Sequence, residues 1–361
     1  MAGGIIRIPM VQKDDRLICY QNGGIYEMCG ESARRIAKLD VPAWVKLAYR
    51  SRLAIRLLRC IPRAGCLSGG RLLIFAFRKT IYVVDTEEKR VKAGFPVREG
   101  FSNPLNIVPM EAGGEYIAVY GDYGANRERR PVFLYGITGD LQNKVLYRFP
   151  ENTIRHIHNV IPDPRGDAWF VFTGDTGKDS GIYRFSPGLG RCGAVALGRQ
   201  EYRAVQGFLR GSSLLYATDA VMETNHVYEL GWSEERPEWN CLGELNGSCI
   251  YGTEYKSRVF LSTCVEPDET ARGRFRKYFT RRLGTGIKDR RVTLVEVCGK
   301  TVREIASFQK DGWPMNLFQY GTIVFPRMYG DNRFLYYMPI GVKAEDMKLK
   351  KLYLGGESGH E

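Results

Sequence analysis

Two histidines separated by a single residue, His156 and His158, open a run over 154–185 that is rich in β-branched and aromatic residues and punctuated by Gly, Pro and Asp. That mixture reads as strands and turns rather than helix. Side chains two apart on a strand point the same way, so both imidazoles share one face. Imidazole titrates near neutral pH and suits proton transfer. The same spacing is how a strand offers two metal ligands, with Asp175 or His226 as a third. The chain has four histidines in all, and no local spacing selects a third ligand. A divalent metal is therefore left open, with cofactor and metal ligands unassigned.

A polar elbow follows at Thr173-Gly174-Asp175, and comparable elbows set Asp122, Asp219 and Glu266 between apolar runs. The segments before the elbows carry Asn106, His156, His158, Tyr202, Arg203 and Gln319, and the loops after them carry Asn126, Asn225 and His226. Carboxylates, imidazoles, a guanidinium and amides gathered on one concave surface can bind a polyhydroxylated ligand and do acid–base work. On that reading His156, His158, Asp175, Asp219 and Glu266 are the catalytic candidates. Asn106, Asp122, Asn126, Tyr202, Arg203, Asn225 and Gln319 are the substrate-binding ones. The plainer role of any single elbow acid is to accept from turn amides and hold its own hairpin together.

The elements that must position these residues are repeated hairpins. An apolar strand, a polar elbow and a return strand recur over 71–85, 115–136, 168–185, 213–231, 258–297 and 322–338, with a shorter copy at 16–28. The interval is close to the roughly 40–50 residues of a propeller blade, and each interval has room for two further strands. The 41 glycines, 21 tyrosines and 17 phenylalanines suit many short strands joined by tight turns. This predicts an all-β chain: a β-propeller of seven blades (six is the alternative) occupying 1–361 as a single domain. A pair of β-sandwiches would not explain why the elbow recurs at the same place in each copy. Residues near 351–354 are expected to close the ring by pairing with the N-terminal strand. Innermost strands line the channel of a propeller, and loops at one end gather on one face, so scattered elbows converge.

Two segments break the pattern. Residues 42–59 read as one amphipathic helix capped by Asp40, with Trp44, Leu47, Ala48, Ile55 and Leu58 on the apolar face and Lys46, Arg50, Arg52, Arg56 and Arg59 off it. Residues 271–291 form a basic insertion with Phe275, Tyr278 and Phe279 interleaved. With 53 Lys+Arg against 40 Asp+Glu, the net charge of +13 favours anionic partners: acidic sugars, an anionic membrane surface or nucleic acid. Nucleic acid is disfavoured, since no recognised binding motif accompanies the basic insertion. An anionic membrane surface is the partner that residues 42–59 suggest. The nine cysteines form no CxxC pair, which excludes a zinc ribbon or dithiol redox motif. No apolar leader or membrane-spanning run is visible, so the expectation is a cytoplasmic protein, peripheral to a membrane if the basic helix docks.

The run RHIHNVIPDPRGDAWFVFTGD, followed by YRAVQ and YATDAVMETNHVYEL, resembles BNR-type, sialidase-like β-propeller proteins associated with bacterial exopolysaccharide or capsule gene clusters. The resemblance covers roughly 100–340 and lies in the HIH…TGD…YR…TD…N order. The Asp-box of such propellers is degenerate, its nearest remnant being 138–143, and the arginine cluster and nucleophile of sialidases have no counterpart. What the resemblance implies is a propeller with a carbohydrate association rather than sialidase chemistry. Metal-dependent propeller lyases acting on uronate polysaccharides offer a further analogy of fold. The expected function is a carbohydrate-active protein, a glycoside hydrolase or polysaccharide lyase acting on an acidic oligo- or polysaccharide. The alternative is a non-catalytic propeller scaffold docking to a polysaccharide-biosynthesis complex or membrane surface.

Overall fold

The computed structural model describes residues 5–355 apart from 31, 111–113, 164, 167, 176, 233–236 and 271–272. Ala271 and Arg272 of the expected insertion therefore lie outside the described residues.

Seven antiparallel sheets follow one another along the chain. Blade 1 runs Ile8–Lys13, Arg16–Gln21, Gly24–Cys29 and Ser32–Lys38. Blade 2 is Arg63–Ser68, Leu72–Phe77, Thr80–Asp85 and Arg90–Pro96, and blade 3 is Ile107–Pro109, Tyr116–Gly121, Val132–Thr138 and Asn143–Phe149. Blade 4 is His156–Pro162, Trp169–Gly174, Gly181–Phe185 and Cys192–Leu197. Blade 5 is Ala204–Arg210, Ser213–Thr218, His226–Trp232 and Pro237–Glu244. Blade 6 is Cys249–Tyr255, Arg258–Thr263, Arg291–Cys298 and Thr301–Gln309, and blade 7 holds Thr322–Val324, Phe334–Ile340 and Lys350–Tyr353. First strands of neighbouring blades pack side by side around the ring. The architecture is a seven-bladed β-propeller.

Burial explains which runs became inner strands. Trp169–Gly174 is buried at every position because neighbouring blades cover both faces, whereas the outer strand Asn143–Phe149 is largely exposed or half-buried. Blades press close: a β-carbon on Gly207 would stand 2.6 Å from the Ile161 side chain of blade 4.

The ring closes differently from the expectation. Lys350–Tyr353 pairs with Phe334–Ile340 as the outer strand of blade 7, not with the N-terminus. Closure falls instead to Arg327–Tyr329, which runs parallel to blade 1 at Val11–Lys13. Buried Gln12 locks the seam, donating to Asn332 Oδ1 (3.0 Å) and the Phe334 carbonyl (2.6 Å) and accepting from the Tyr336 amide. Blades 2 to 6 are each one contiguous piece of chain, whereas blade 1 gains Arg327–Tyr329 as a fifth strand.

The expected single helix over 42–59 is two short ones, Ala43–Ala48 and Arg52–Leu57. Ser51 takes an extended backbone and its hydroxyl accepts from the Ala54 amide at 3.4 Å, so it ends one helix and caps the next. The N-cap of the first is Pro42 without a side-chain bond, not Asp40. The break resets the helical phase. Val45, Ala48, Ile55 and Arg56 turn inward, while Trp44, Leu47 and Leu58 stay exposed. Arg56, read as a solvent-facing charge, is fully buried against Asp311 (2.6 Å) and Asp346 (3.3 Å) and donates to the Phe318 carbonyl. The basic insertion contains the helix Arg274–Phe279, in the connection between the second and third strands of blade 6.

Candidate functional site

Strand direction decides where the candidates gather. In a four-stranded antiparallel blade, the start of the first strand, the loop between the second and third, and the link to the next blade lie at the same end. His156 starts the first strand of blade 4, Asp175 follows its second strand, and Arg203 ends the link into blade 5. Asp219 and Glu266 follow the second strands of blades 5 and 6. All are on one face of the ring.

Six of the candidates converge. His156 Nε2 is 3.0 Å from His158 Nε2, and Asp175 Oδ1 lies 3.2 Å and 3.3 Å from those two nitrogens. The Arg203 guanidinium bridges onward, with Nη2 3.7 Å from Asp175 Oδ1 and 3.3 Å from Asp219 Oδ2. Both imidazoles are buried, whereas the Asp175 side chain is 32% exposed and opens the cluster to solvent. Glu266 stands near Arg203 and Asp219, with Ser248 Oγ donating to its Oε1 at 2.5 Å. A shallow groove of about 530 Å³, lined by Arg199, Gln200, Arg203, Glu223 and Glu269, runs alongside. The central channel holds a separate cavity of about 400 Å³, lined by Arg63, Asn106, Gln206, Tyr251, Glu254 and Arg327, and His156 and Asp175 are not on its wall.

The carboxyls are driven apart in acidity. Burial alone would raise Asp175, but hydrogen bonds and charge from His156, His158 and Arg203 outweigh it and hold the group well below the usual carboxylate range. Burial pushes Glu266 up to about 7, against Ser248 and Arg203, which pull it down. Burial also raises Asp219 well above its ordinary value, with Arg203 opposing. Burial lowers His158, partly countered by Asp175. Asp219 Oδ1 and Arg203 Nε are buried without a hydrogen-bond partner among the described residues.

The other candidates are elsewhere. Asp122 accepts from the Phe133 amide and from Arg98 (2.6 Å), holding blade 3 together. Asn126 ties its loop by bonds to the Arg130 and Arg155 carbonyls and from the Arg130 amide. Asn225, fully buried, accepts from Thr218 and the Ala220 amide and donates to the carbonyls of Ala220, Glu223 and Gly286. Tyr202 packs on Trp239 within blade 5. Asn106 staples first strands together through the His158 and Val205 carbonyls. Gln319 ends the short helix Met315–Phe318 in left-handed backbone, φ 63°, and no hydrogen bond joins it to the cluster among the described residues. His226 lies beside Tyr228, away from the histidine pair. These polar residues have turn or seam duties because buried backbone amides and carbonyls need partners.

Sequence reasoning missed Tyr123, whose ring packs edge-on to His156 at 4.8 Å, and Gln200, whose Nε2 holds the Asp175 carbonyl at 3.0 Å. Tyr123 follows the blade 3 elbow directly, so the elbow pattern carried a signal for it. Nothing in the spelling marked Gln200 or Ser248.

No protein-family model and no curated protein sequence matches the chain. Solved structures do match its fold. The Cps50 (Swd1) β-propeller domain of Myceliophteria thermophila aligns over 98% of this chain and 99% of its own, at 9% identity and TM-score 0.58. One of two prolyl endopeptidases aligns over 98% of this chain and 50% of its own, at 12% identity and TM-score 0.55. A chain of the mitotic checkpoint complex aligns over 99% and 92%, at 7% identity and TM-score 0.53. At such identity the likeness is one of architecture. These define the class as β-propeller and leave the chemistry to the site.

Proposed function

We propose that the chain is a carbohydrate-active propeller, a glycoside hydrolase or polysaccharide lyase acting on an acidic glycan. The observation that carries this is the convergence of His156, His158, Asp175, Arg203, Asp219 and Glu266, from three blades, on one solvent-facing mouth beside a groove. Carboxyls in contrasting environments are the raw material of an acid–base pair, one ionised and one protonated near neutral pH. Arg203, on the wall of the groove, supplies a cation for a uronate carboxylate. The BNR-type resemblance and the positive net charge point to the same substrate class.

The test is a screen of the purified protein against acidic polysaccharides, reading reducing ends and the absorbance of unsaturated uronates. Turnover that falls by about 10²–10⁴ in Glu266→Gln and Asp219→Asn supports the reading. Turnover unchanged in both variants removes the site assignment.

A second reading, docking of this face onto an anionic membrane, is favoured by surface composition. Trp44, Leu47 (60% exposed), Phe275 (81%) and Phe279 stand exposed on connections at the site's end of the ring, near exposed Lys46, Arg50, Lys277 and Arg281. Sedimentation with phosphatidylserine vesicles but not phosphatidylcholine vesicles, lost in Leu47→Ser/Phe275→Ser, would support it.

A further inference from the structure

The histidine pair has its tautomers set by the main chain. His156 Nδ1 faces the Gly124 carbonyl at 2.5 Å and His158 Nδ1 faces the Ala204 carbonyl at 2.9 Å. A carbonyl oxygen can only accept, so each Nδ1 carries a hydrogen and each neutral ring keeps its lone pair on Nε2. Those two lone pairs and Asp175 Oδ1 then form a triangle with edges of 3.0, 3.2 and 3.3 Å. Three electron-pair donors this close repel one another unless a cation stands among them. A single shared proton joins two of the three corners well and the third poorly. A metal ion joins all three. With ligand bonds of about 2.0–2.2 Å and ligand–metal–ligand angles of roughly 90–109°, neighbouring ligands stand about 3.0–3.4 Å apart.

We propose that His156 Nε2, His158 Nε2 and Asp175 Oδ1 bind one first-row divalent transition-metal ion on a single triangular face of its coordination sphere. Two imidazole nitrogens and one carboxylate select zinc, manganese, iron(II), cobalt or nickel over calcium and magnesium, which prefer all-oxygen shells. The surrounding groups are arranged as such a site needs. Both Nδ1–H groups are tied to carbonyls, which fixes ring orientation. The loop bearing Asp175 is held by its own carbonyl, which accepts from Gln200 Nε2 (3.0 Å) and Arg203 Nη1 (3.1 Å). Gly174 leaves the space that His158 fills, since a β-carbon there would lie 2.2 Å from His158 Cε1. Tyr123 covers the edge of His156, while the exposed side of Asp175 leaves the outward coordination positions to water and substrate. The ion's use on a uronate carboxylate or a bound water rests on the carbohydrate reading, but its binding does not.

The experiment takes the full-length protein, stripped by dialysis against a chelator and titrated calorimetrically with zinc, manganese or cobalt(II) salts alone. Cobalt binding is followed in parallel by visible absorption. The expected result is one ion per chain at micromolar affinity or tighter. Asp175→Asn lowers that affinity at least tenfold, and His226→Ala leaves it unchanged. Because both histidines are buried, their alanine variants can fail by misfolding; Asp175→Asn, at a partly exposed side chain, and the wild-type titration are free of that ambiguity. Wild type that binds none of the three ions, or Asp175→Asn that binds as wild type does, overturns the proposal. Binding without glycan turnover would sink the substrate reading and leave the ion in place, whereas turnover without binding would do the reverse.

Discussion

The elbows of blades 3 and 4 share a spelling, Gly121-Asp122-Tyr123-Gly124 and Gly174-Asp175-Thr176-Gly177, yet their acids have opposite duties. Asp122 turns back into its own blade and is consumed by the Phe133 amide and Arg98. Asp175 turns toward the neighbouring inner strand and meets two imidazoles and a guanidinium. All three loops carry a second polar side chain a few residues downstream, and its partners differ from blade to blade. In blade 4 a second acid, Asp179, is fully buried and takes Arg129 at 2.8 Å, while Thr173 donates to its carbonyl. In blade 5 Asn225 ties the Thr218 and Ala220 elbow, and Asp219 meets Arg203. The elbow acids of blades 4 and 5 both meet Arg203, whereas that of blade 3 accepts from the Phe133 amide of its own blade even though Asn126 ties its loop.

The sharpest way to break that comparison is to neutralise the two acids separately. Asp175→Asn should drop glycan turnover by about 10²–10⁴, out of proportion to any loss of stability. Asp122→Asn should do the reverse. Weakened bonds to Arg98 and the Phe133 amide cost about 1 kcal/mol in denaturant melts, because burial raises Asp122 and offsets part of the charge assistance, and turnover per folded molecule is preserved. If both variants lose stability alike and neither loses turnover disproportionately, the two elbows are equivalent and the distinction falls.

Blade 5 provides the next test, with a smaller expected effect. Asn225→Ala strands the Ala220 amide and the carbonyls it served, and should destabilise by about 2–3 kcal/mol. Asp219→Asn keeps size and should cost under about 1 kcal/mol, because burial already favours the uncharged form of that carboxyl. A larger loss for Asp219→Asn than for Asn225→Ala would mean that Asp219, not Asn225, holds the turn.

The same contrast explains what could be read from the chain. Repeated apolar runs with elbows between them were enough for seven blades, because a strand buried on both faces has a strong local signature. The couple of His156 and His158 was legible from two-residue spacing alone. Its meeting with Asp175 was only half legible, since the elbow marks an acid without saying which way it turns. Asp122 and Asn126 looked the same as Asp175 because turn satisfaction and ligand binding draw on the same residue types. Arg56 was misjudged because Ser51, a single capping residue, shifted the helical phase behind it. Ring closure was missed because the three residues Arg327–Tyr329 are too short to stand out as a strand.

The test that separates the elbow acids by ionisation is the pH dependence of stability. Glu266 faces Arg203, Asp219, Asp175, Glu269 and Ser248, and burial pushes it up to about 7 from an ordinary value of 4.5. Between those two values the native chain holds a proton that the unfolded chain has released, so stability falls as pH rises, at up to about 1.4 kcal/mol per pH unit for one proton. Asp175 works the opposite way: its native value lies below the ordinary 3.8, so its contribution is present above that value and fades on acidification. Denaturant melts from pH 4 to 8 on wild type and Glu266→Gln isolate the first slope. The variant, which cannot titrate at this position, should lose most of the decline between about pH 4.5 and 7. An identical decline in both proteins would place the titrating group elsewhere and deprive the mouth of its neutral-pH acid.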